Sequence, residues 1–405
     1  MSAIQTLSEQ QASRAILHLD LDSFFISVER LRDSRLKGIP LVVGGKNGRG
    51  VVASCSYEAR KFGVHSAMPM KLAHQLCPEL KVISGDMEAY SQYSRMVTDI
   101  ISERAPLFEK SSIDEFYLDL TGMDRFFGTS SWSGELRETI IRETGLPISC
   151  GLSVNKMVSK VATGEAKPNG KLHVPGGTER GFLDPLSISK IPLIGDKTFR
   201  LLRGMGIDRV RTLRKVPIEL MQQMLGKNGT LLWKRANGID QSAVVPFSEA
   251  KSISTERTFQ QDTMDICWLK SLLTSMLEKI TFQLRDSKRL AGCLTVKIRY
   301  TSFDTYTRQL KLPYTASDHV LLARALELFD KLYDRRMRLR LIGVRLSDLV
   351  HGHHQIDLFE DSHEMVRLYQ AMDRIRSKYG QHKLYRATGQ GMVSDKRMVN
   401  AFVRD

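Results

Sequence analysis

Cysteine is scarce in this chain of 405 residues, and the few cysteines form no recognisable pattern. There are five, an odd number, widely separated and without a Cys-x-x-Cys pair: Cys55, Cys77, Cys150, Cys267 and Cys293. This spacing argues against a disulfide framework, a zinc ribbon and a dithiol redox site. We therefore expect buried, reduced thiols of the kind found in cytosolic proteins.

Long apolar runs are also missing. No stretch approaches the ~18 apolar residues of a membrane-spanning helix, and residues 1–9 lack the basic and then apolar pattern of a secretory signal. Hydrophobic residues still make up 42% of the chain, enough for ordinary folded cores. We expect a soluble, cytoplasmic protein that does not span a membrane, built from roughly two to four domains.

Acidic residues are outnumbered by basic ones. The chain has 60 Lys and Arg against 45 Asp and Glu, a net charge of +15 and a pI near 9.6. This imbalance predicts a polyanionic partner, either nucleic acid or an acidic membrane surface. Charge alone does not choose between them.

An adjacent pair of acids, Asp114 and Glu115, precedes an apolar run, and residues 111–120 contain no Lys or Arg. Like charges this close raise each other's pKa, so a site that keeps both ionised usually holds a cation. Mg²⁺ suits such a site because it needs only one or two protein carboxylates and also binds substrate phosphates. The alternative, two acids at a strand end that faces water, stays open on these residues alone.

A second acidic segment favours the metal hypothesis. Residues 16–22 are nearly continuously apolar before they end in acids, which predicts a strand buried on both faces. If this strand lies beside the other acidic segment, Asp20 meets Asp114 and Glu115. Because side chains alternate along a strand, Asp114 and Glu115 converge only where a turn or bulge redirects one of them. Three such acids could form a two-metal site for phosphoryl transfer.

Phe25 follows the first acidic strand at the start of a predicted helix. Helical spacing turns Phe24 inward and Phe25 elsewhere. Phe25 is therefore either part of the core or the wall of a pocket, where a flat ring under a sugar would leave no room for a 2′-hydroxyl.

Ser54, Tyr57 and Arg60 recur at a spacing of three, where predicted strands over 40–45 and 50–56 lead into a helix from Tyr57. On one side of the chain they supply a hydroxyl, a phenol and a guanidinium group that could grip a triphosphate. The signal is weak alone, since an arginine on a helix is usually just solvated. Lys167, where a helix stops before Pro168, can also reach a phosphate.

Residues 16–153 alternate predicted strands and helices in the order βαββαβ, with helices over 87–109 and 133–145. This order is typical of the ferredoxin-like unit. At this point the sequence resembles the Y-family DNA polymerases, the lesion-bypass enzymes, and most closely their polymerase IV branch. The likeness is carried by five segments in the family's order: 18–25, 54–64, 112–115, 151–156 and 166–170.

The resemblance implies roles for the site residues. It assigns two Mg²⁺ ions and the catalytic role to three acids, helped by one carbonyl group: Asp20, Asp114, Glu115 and the carbonyl of Leu21. It makes Phe25 the steric gate against ribonucleotides. It assigns the incoming triphosphate to four side chains: Ser54, Tyr57, Arg60 and Lys167. Ser54 stands where many relatives have Thr, which keeps the hydroxyl group.

The resemblance also implies the activity and its partners. We expect template-directed, error-prone translesion synthesis that adds dNTPs to the 3′ end of a primer on primer–template DNA. We expect a bacterial, cytoplasmic monomer without a membrane partner, and no segment suggests a proofreading exonuclease.

The implied fold is α+β, of the right-hand polymerase type, with a ferredoxin-like palm, small fingers, a helical thumb that contains a helix-hairpin-helix, and an α/β little finger. The expected boundaries are palm 1–23 and 87–175, fingers 24–86, thumb 176–245, little finger 252–350 and C-terminal tail 351–405.

Two features of the second half fit this interpretation. Residues 191–207 resemble a helix-hairpin-helix, whose turn amides bind a DNA phosphate, although Leu193 stands where relatives often have Gly. Two packed helices without DNA contact are the alternative. Residues 288–345 hold 13 Lys and Arg against 5 Asp and Glu in alternating stretches. They predict a half-buried sheet whose positive outer face lies along duplex phosphates.

The tail contains a short segment, 355–359, that resembles the peptide by which bacterial polymerases dock on the sliding clamp. Gln355 would begin it, and Leu358 and Phe359 would anchor in an apolar pocket. An ordinary edge strand is the alternative. A helix predicted over 363–379, to which we assign no function, has four residues on its packed side: Val366, Tyr369, Met372 and Ile375.

Two other functions compete with the polymerase hypothesis. One is a non-catalytic palm-fold repair protein that only binds DNA or a clamp; the presence of all three acids with Tyr57, Arg60 and Lys167 argues against it. The other is a nucleotidyl cyclase, which uses a similar metal-binding palm. A cyclase would have no need of the basic second half.

Overall fold

The computed structural model describes residues 14–45, 49–123, 128–352, 362–380 and 383–389. The chain forms two compact units, which consist of residues 1–46 with 50–248, and of residues 47–49 with 249–405. Among the described residues, no helix has the length and apolar character needed to cross a membrane.

The elements of the first unit, in chain order, are β1 (Ile16–Leu21), α1 (Phe24–Arg32), β2 (Leu41–Gly44), β3 (Val52–Cys55), α2 (Tyr57–Lys61), α3 (Met70–Leu76), β4 (Lys81–Ile83), α4 (Met87–Arg104), β5 (Phe108–Lys110), β6 (Glu115–Asp119), α5 (Thr129–Thr144), β7 (Ile148–Ser153), α6 (Lys156–Ala166), β8 (Lys171–His173), α7 (Glu179–Leu183), α8 (Asp196–Gly204), α9 (Val210–Lys215), α10 (Ile218–Leu225) and α11 (Lys227–Ala236). Those of the second unit are β9 (Ser252–Thr263), α12 (Ile266–Asp286), β10 (Arg289–Tyr300), β11 (Thr305–Thr315), α13 (Asp318–Leu332), β12 (Leu339–His351) and α14 (Ser362–Tyr379).

The largest sheet of the first unit has the strand order β5-β6-β1-β7-β8. Its pairs are antiparallel except for β7 with β8. Strands β1, β5, β6 and β7 alternate with α4 and α5 in the predicted βαββαβ order, which confirms the ferredoxin-like unit. The apolar side chains of β1 are buried on both faces, as its sequence predicts: Ile16, Leu17, Leu19 and Leu21.

Helix α4 ends earlier than the helix predicted over 87–109. Its last residue is Arg104, and Ala105 is already extended, with φ −93° and ψ 132°. Pro106 follows, and the residue before a proline is pushed out of the helical region. The prediction was wrong at this end, because Phe108–Lys110 form the edge strand β5.

Gly151 allows α6 to lie directly on the sheet. A Cβ atom at Gly151 would stand 2.3 Å from the carbonyl oxygen of Ser159, closer than any side chain tolerates. Two hydroxyl groups of α6 also bond the backbone of β1: Ser159 Oγ donates to Ile16 O at 2.7 Å, and Thr163 Oγ1 donates to His18 O at 3.2 Å. Helix α6 is therefore fixed against the strand that carries Asp20.

A smaller sheet, in the order β3-β2-β4, has its own core in the first unit. Strands β2 and β3 are antiparallel, whereas β2 and β4 are parallel. Ser56 caps α2, since its Oγ accepts a hydrogen bond from the Ala59 amide at 3.2 Å. The two predicted strands and the helix from Tyr57 are confirmed.

The helix-hairpin-helix segment has a very short first helix. Ile188–Lys190 form only a 3-10 turn, and α8 begins at Asp196 after a turn over 191–195. Leu193 in this turn has φ +76°, and its side chain is 64% exposed. This left-handed conformation strains any residue with a Cβ, which crowds the neighbouring carbonyl oxygen.

The four strands of the second unit pair antiparallel in the order β11-β10-β12-β9. Helices α12 and α13 cover one face, where Leu294, Val296 and Ile298 of β10 are buried. The alternate residues Lys297 and Arg299 are partly exposed. The prediction of a half-buried sheet is confirmed.

Helix α14 packs through charges more than its sequence predicts. Tyr369 is buried, but Ile375 is 42% exposed, so the predicted packed side was wrong at that position. Instead, Arg285 of α12 donates to both carboxylate oxygens of Asp373, at 2.6 and 2.9 Å. Arg376 is only 3% exposed and lies 3.6 Å from Glu278. A hydrophobic periodicity does not reveal such pairs, because each needs a partner from a distant helix.

Replacing Leu193 with Gly should raise the stability of the first unit. Glycine adopts positive φ without the Cβ clash, so we expect a gain of about 1 kcal/mol in the free energy of unfolding despite the added freedom of the unfolded chain. Urea unfolding followed by tryptophan fluorescence measures it. Leu220→Gly is the matched control: Leu220 is exposed within α10, and glycine there should cost about 1 kcal/mol. Loss of stability in both variants would contradict the strain at Leu193.

Candidate functional site

The pairing of β1 with β6 brings the predicted acids together. In the antiparallel register Asp20 lies opposite Glu115, and the Leu21 amide donates to the Asp114 carbonyl at 3.0 Å. The prediction that the two acidic strands lie side by side is confirmed.

A bend before β6 redirects Asp114, as the alternation of side chains requires. Residues 112–114 form the bend, and β6 starts at Glu115. Ser112 stabilises it with one hydroxyl group: its Oγ donates to Asp114 Oδ1 at 2.6 Å and accepts from the Glu115 amide at 3.1 Å. Asp114 therefore stands outside the alternation of the strand, and the charges of both acids lie near enough to Asp20 to raise its pKa.

Burial dominates the electrostatics of this cluster. It raises the pKa of Asp20 to about 7; Lys167 opposes this rise, while Glu115 and Asp114 add to it. Burial also raises the pKa of Asp114, against the hydrogen bond from Ser112. The site is therefore short of positive charge, which a bound cation would supply.

Two lysines already lie against the acids, and this corrects the argument from sequence. That argument relied on the absence of Lys and Arg within residues 111–120, but the ammonium groups come from α6 and its end. Lys160 Nζ donates to both carboxylate oxygens of Glu115, at 2.6 Å each, and Lys167 Nζ donates to Asp20. The sequence signal was the spacing of Lys156, Lys160 and Lys167, by four and then by seven residues; the first two lie in α6 and the third directly after it.

The donor chemistry of the cluster fits Mg²⁺. Three carboxylates and a backbone carbonyl are hard oxygen donors, the kind that Mg²⁺ prefers. Within the described residues, no three His, Cys, Asp or Glu side chains are already arranged as a metal cage. Mg²⁺ does not require such a cage, because it usually binds one or two carboxylates together with substrate phosphates and water.

The residues predicted to bind a triphosphate come from two parts of the chain. The Arg60 guanidinium lies over the Tyr57 ring, 5.0 Å from its centre. Tyr57 Oη donates to Asp22 Oδ1 at 3.2 Å, and Lys167 Nζ lies 3.9 Å from the same oxygen. Ser54 lies in β3, directly before α2, and is largely buried. The structure thus brings Tyr57, Arg60 and Lys167 around one region.

Phe25 is held in place by an aromatic residue that the sequence did not reveal. Its half-buried ring stacks on Tyr90 of α4, with centres 4.4 Å apart and planes inclined by 14°. The Tyr90 hydroxyl donates to Glu29 at 2.7 Å, which fixes Tyr90 in turn. Phe25 is therefore both attached to the core and partly open to solvent, so the two alternatives for this residue are not exclusive.

The predicted clamp peptide lies outside the described residues. Gln355, Leu358 and Phe359 belong to the segment 353–361. Their role stays a prediction.

Comparisons with known proteins agree with the fold and with the resemblance. Residues 19–164 match the model of the impB/mucB/samB family, and residues 250–358 match the model of its C-terminal domain. A DNA polymerase IV of Dehalococcoides mccartyi (strain CBDB1) is 40% identical over 371 residues, which cover 91% of this chain and 95% of the relative. DNA polymerase IV 2 of Methanosarcina mazei is 36% identical and covers 86% of this chain and 96% of its own length.

Solved structures give the same result. A Y-family DNA polymerase chimera of Dbh and Dpo4 superposes with a TM-score of 0.76 at 26% identity, and covers 84% of this chain and 100% of its own. DinB from Sulfolobus solfataricus matches with a TM-score of 0.59 at the same identity and coverage. The predicted fold class, an α+β right-hand polymerase, is thereby confirmed. Since two family models and close relatives span most of its length, the chain belongs to the impB/mucB/samB family, the Y-family DNA polymerases.

Proposed function

We propose that this DNA-directed DNA polymerase performs error-prone translesion synthesis, and that its nucleotidyl transfer depends on two Mg²⁺ ions held at the β1/β6 cluster. The observation that carries the proposal is the meeting of Asp20, Asp114 and Glu115, which are distant in sequence, at the end of one strand pair. The names of its relatives support the polymerase activity.

The three acids and the Leu21 carbonyl would hold the ions. Bound Mg²⁺ stabilises charge on the attacking and leaving oxygens of a phosphoryl transfer. The chain prepares the site in advance: the strand register sets Asp20 opposite Glu115, and Ser112 fixes Asp114. Lys160 and Lys167 offset part of the negative charge, a role that a bound cation would take over.

The incoming triphosphate would be bound from two sides. Arg60 and Tyr57 present a guanidinium and a phenol from α2, and Lys167 presents an ammonium group from the end of α6. Charged donors of this kind form the strongest hydrogen bonds to phosphate oxygens. Ser54 would add a hydroxyl group from β3.

Phe25 would act as the gate against ribonucleotides. A gate must not yield when a 2′-hydroxyl presses on it, and the stack on Tyr90 gives the ring this rigidity. The hydrogen bond between Tyr90 and Glu29 supports the stack from behind.

DNA would be held by the second unit and by the hairpin near Leu193, neither of which needs to recognise base sequence. Strand β10 presents Lys297 and Arg299 on the face that α12 and α13 leave uncovered.

The segment 355–359 would dock on a sliding clamp. Synthesis would proceed without a proofreading exonuclease.

Asp114→Ala should lower primer extension by at least about 10³-fold in kcat, since the bound ions contribute several kcal/mol to the transition state. Extension is measured on undamaged templates and on templates with a lesion. Asp119→Ala is the matched control, because it removes a carboxylate from the other end of β6 and should keep activity. Wild-type protein that adds no nucleotide to primed DNA would refute polymerase activity. Wild-type protein that always stops at the lesion would refute the translesion role only.

Phe25→Ala should increase ribonucleotide incorporation relative to dNTPs by about 100-fold, the scale on which a site built against one hydroxyl group discriminates. Competing rNTPs and dNTPs on one primer–template measure the ratio. Phe62→Ala provides the control, because Phe62 is an exposed phenylalanine just after α2. An unchanged ratio in Phe25→Ala would show that this ring is not the gate.

Leu358→Ala combined with Phe359→Ala should abolish stimulation by a sliding clamp and leave clamp-free synthesis unchanged. Two apolar anchors of about 2 kcal/mol each account for most of the affinity of such a peptide. Primer extension with and without clamp measures the stimulation. Leu368→Ala, at an exposed leucine of α14, is the control. Equal stimulation of the double variant and wild type would dismiss the docking peptide.

A further inference from the structure

Asp22 is a buried carboxylate that ties three segments of the first unit together. It is 1% exposed and directly follows β1. Its Oδ2 accepts from Ser149 Oγ of β7 at 2.7 Å and from the Asn169 amide, after α6, at 2.6 Å. Its Oδ1 accepts from Tyr57 Oη of α2 at 3.2 Å.

These contacts distinguish Asp22 from Asp20, Asp114 and Glu115, the acids proposed to bind Mg²⁺. Both of its oxygens are occupied by donors from the chain itself, and its backbone is held as well: its amide donates to Pro147 O at 2.9 Å, and its carbonyl accepts from Ser27 Oγ at 2.7 Å. A carboxylate fixed in this way is a support for other residues.

Tyr57 can serve only one acceptor at a time. A phenol has a single hydrogen to donate, and the pKa of Tyr57 is raised by burial and by the neighbouring Asp22 charge, so the hydroxyl keeps that hydrogen. Phosphate oxygens only accept. A triphosphate that binds Tyr57 must therefore take the hydrogen that now points at Asp22.

We propose that Asp22 is a positioning residue that competes with the incoming triphosphate for the Tyr57 hydroxyl group and thereby sets the affinity for dNTPs. The inference rests on the proposed role of Tyr57 in nucleotide binding. The two carboxylate oxygens of Asp22 have different roles. Oδ2 fixes Asn169, in the segment that follows Lys167, and Oδ1 restrains the Tyr57 hydroxyl group.

An asparagine at this position separates these two tasks. In Asp22→Asn the side-chain oxygen must face the Asn169 amide, because a backbone N–H can only donate, and the Ser149 hydroxyl group can keep donating to the same oxygen. The NH₂ group then faces Tyr57 and donates to its oxygen, which leaves the phenolic hydrogen free for a phosphate. The anchoring contacts stay, and only the competition is removed.

The test is a double-mutant cycle of wild type, Asp22→Asn, Tyr57→Phe and the double variant. Calorimetric titration of a dNTP into each protein, bound to a dideoxy-terminated primer–template, gives the dissociation constant; steady-state extension gives kcat and KM. Asp22→Asn should lower the dissociation constant and KM by about tenfold, the ratio that corresponds to one hydrogen bond to a charged group, with little change in kcat. Most of this gain should disappear in the Tyr57→Phe background.

The other outcomes are distinct. An undiminished gain in the Tyr57→Phe background would assign the effect to charge alone and overturn the inference, as would an unchanged or weaker affinity in Asp22→Asn. If Tyr57→Phe leaves dNTP affinity unchanged both in the wild-type and in the Asp22→Asn background, the nucleotide-binding role of Tyr57 fails together with the inference, while extension by wild type still supports the proposed function. Asp119→Asn removes a carboxylate of β6 and should bind dNTPs like wild type, and thermal midpoints show whether each variant is folded.

Discussion

The antiparallel register of β1 and β6 is the constraint on which the site depends. Asp20 faces Glu115 only in this register, because a slip of one residue would turn every side chain of β1 to the opposite face. The register is fixed by burial: Leu17, Leu19 and Leu21 fill the core on one side of the strand. On the other side the His18 ring bonds the Thr163 hydroxyl group of α6, with Nδ1 and Oγ1 2.9 Å apart, and Ile16 is buried against Tyr117. The geometry of the acids is thus imposed by apolar packing, with little help from contacts among the acids themselves.

The alternation of side chains between the two faces of β1 also explains why lysines form ion pairs with the acids. Asp20 lies on the face of β1 that α6 covers, and Gly151 lets that helix approach closely. The next lysines along the chain therefore reach the carboxylates: Lys160 of α6 pairs with Glu115, and Lys167, directly after the helix, pairs with Asp20. A cluster of three partly buried carboxylates would otherwise oppose folding, since burial penalises each charge. The fold offsets this cost with lysines on and directly after the helix that already packs there, and a bound metal ion would replace one positive counter-charge with another.

The sequence predicts those parts of the site that depend on local pattern. Apolar runs and their acidic ends place Asp20, Asp114 and Glu115, and the requirement for a bend at Asp114 follows from strand geometry. The partners that come from distant segments are not predictable in this way. Lys160 on Glu115 and Tyr90 beneath Phe25 each join residues far apart in the chain, and no periodicity records which distant side chain arrives. The early end of α4 is a local effect: the predicted helix ran past Pro106, although the residue before a proline disfavours the helical conformation.

Charge counts taken from the sequence also overstate the positive electrostatic potential of the second unit, because they do not show which basic side chains are paired with acids from distant segments. Lys297 belongs to the basic stretch of β10, but its ammonium group bonds both oxygens of Glu256, at 2.8 and 3.0 Å, from two strands away. Gly343 stands between them, and a Cβ there would lie 2.8 Å from the Glu256 side chain. The missing side chain is what allows the pair to form across β12. Attraction of a polyanion to this face therefore depends more on residues such as the exposed Arg345 than on the total number of basic residues.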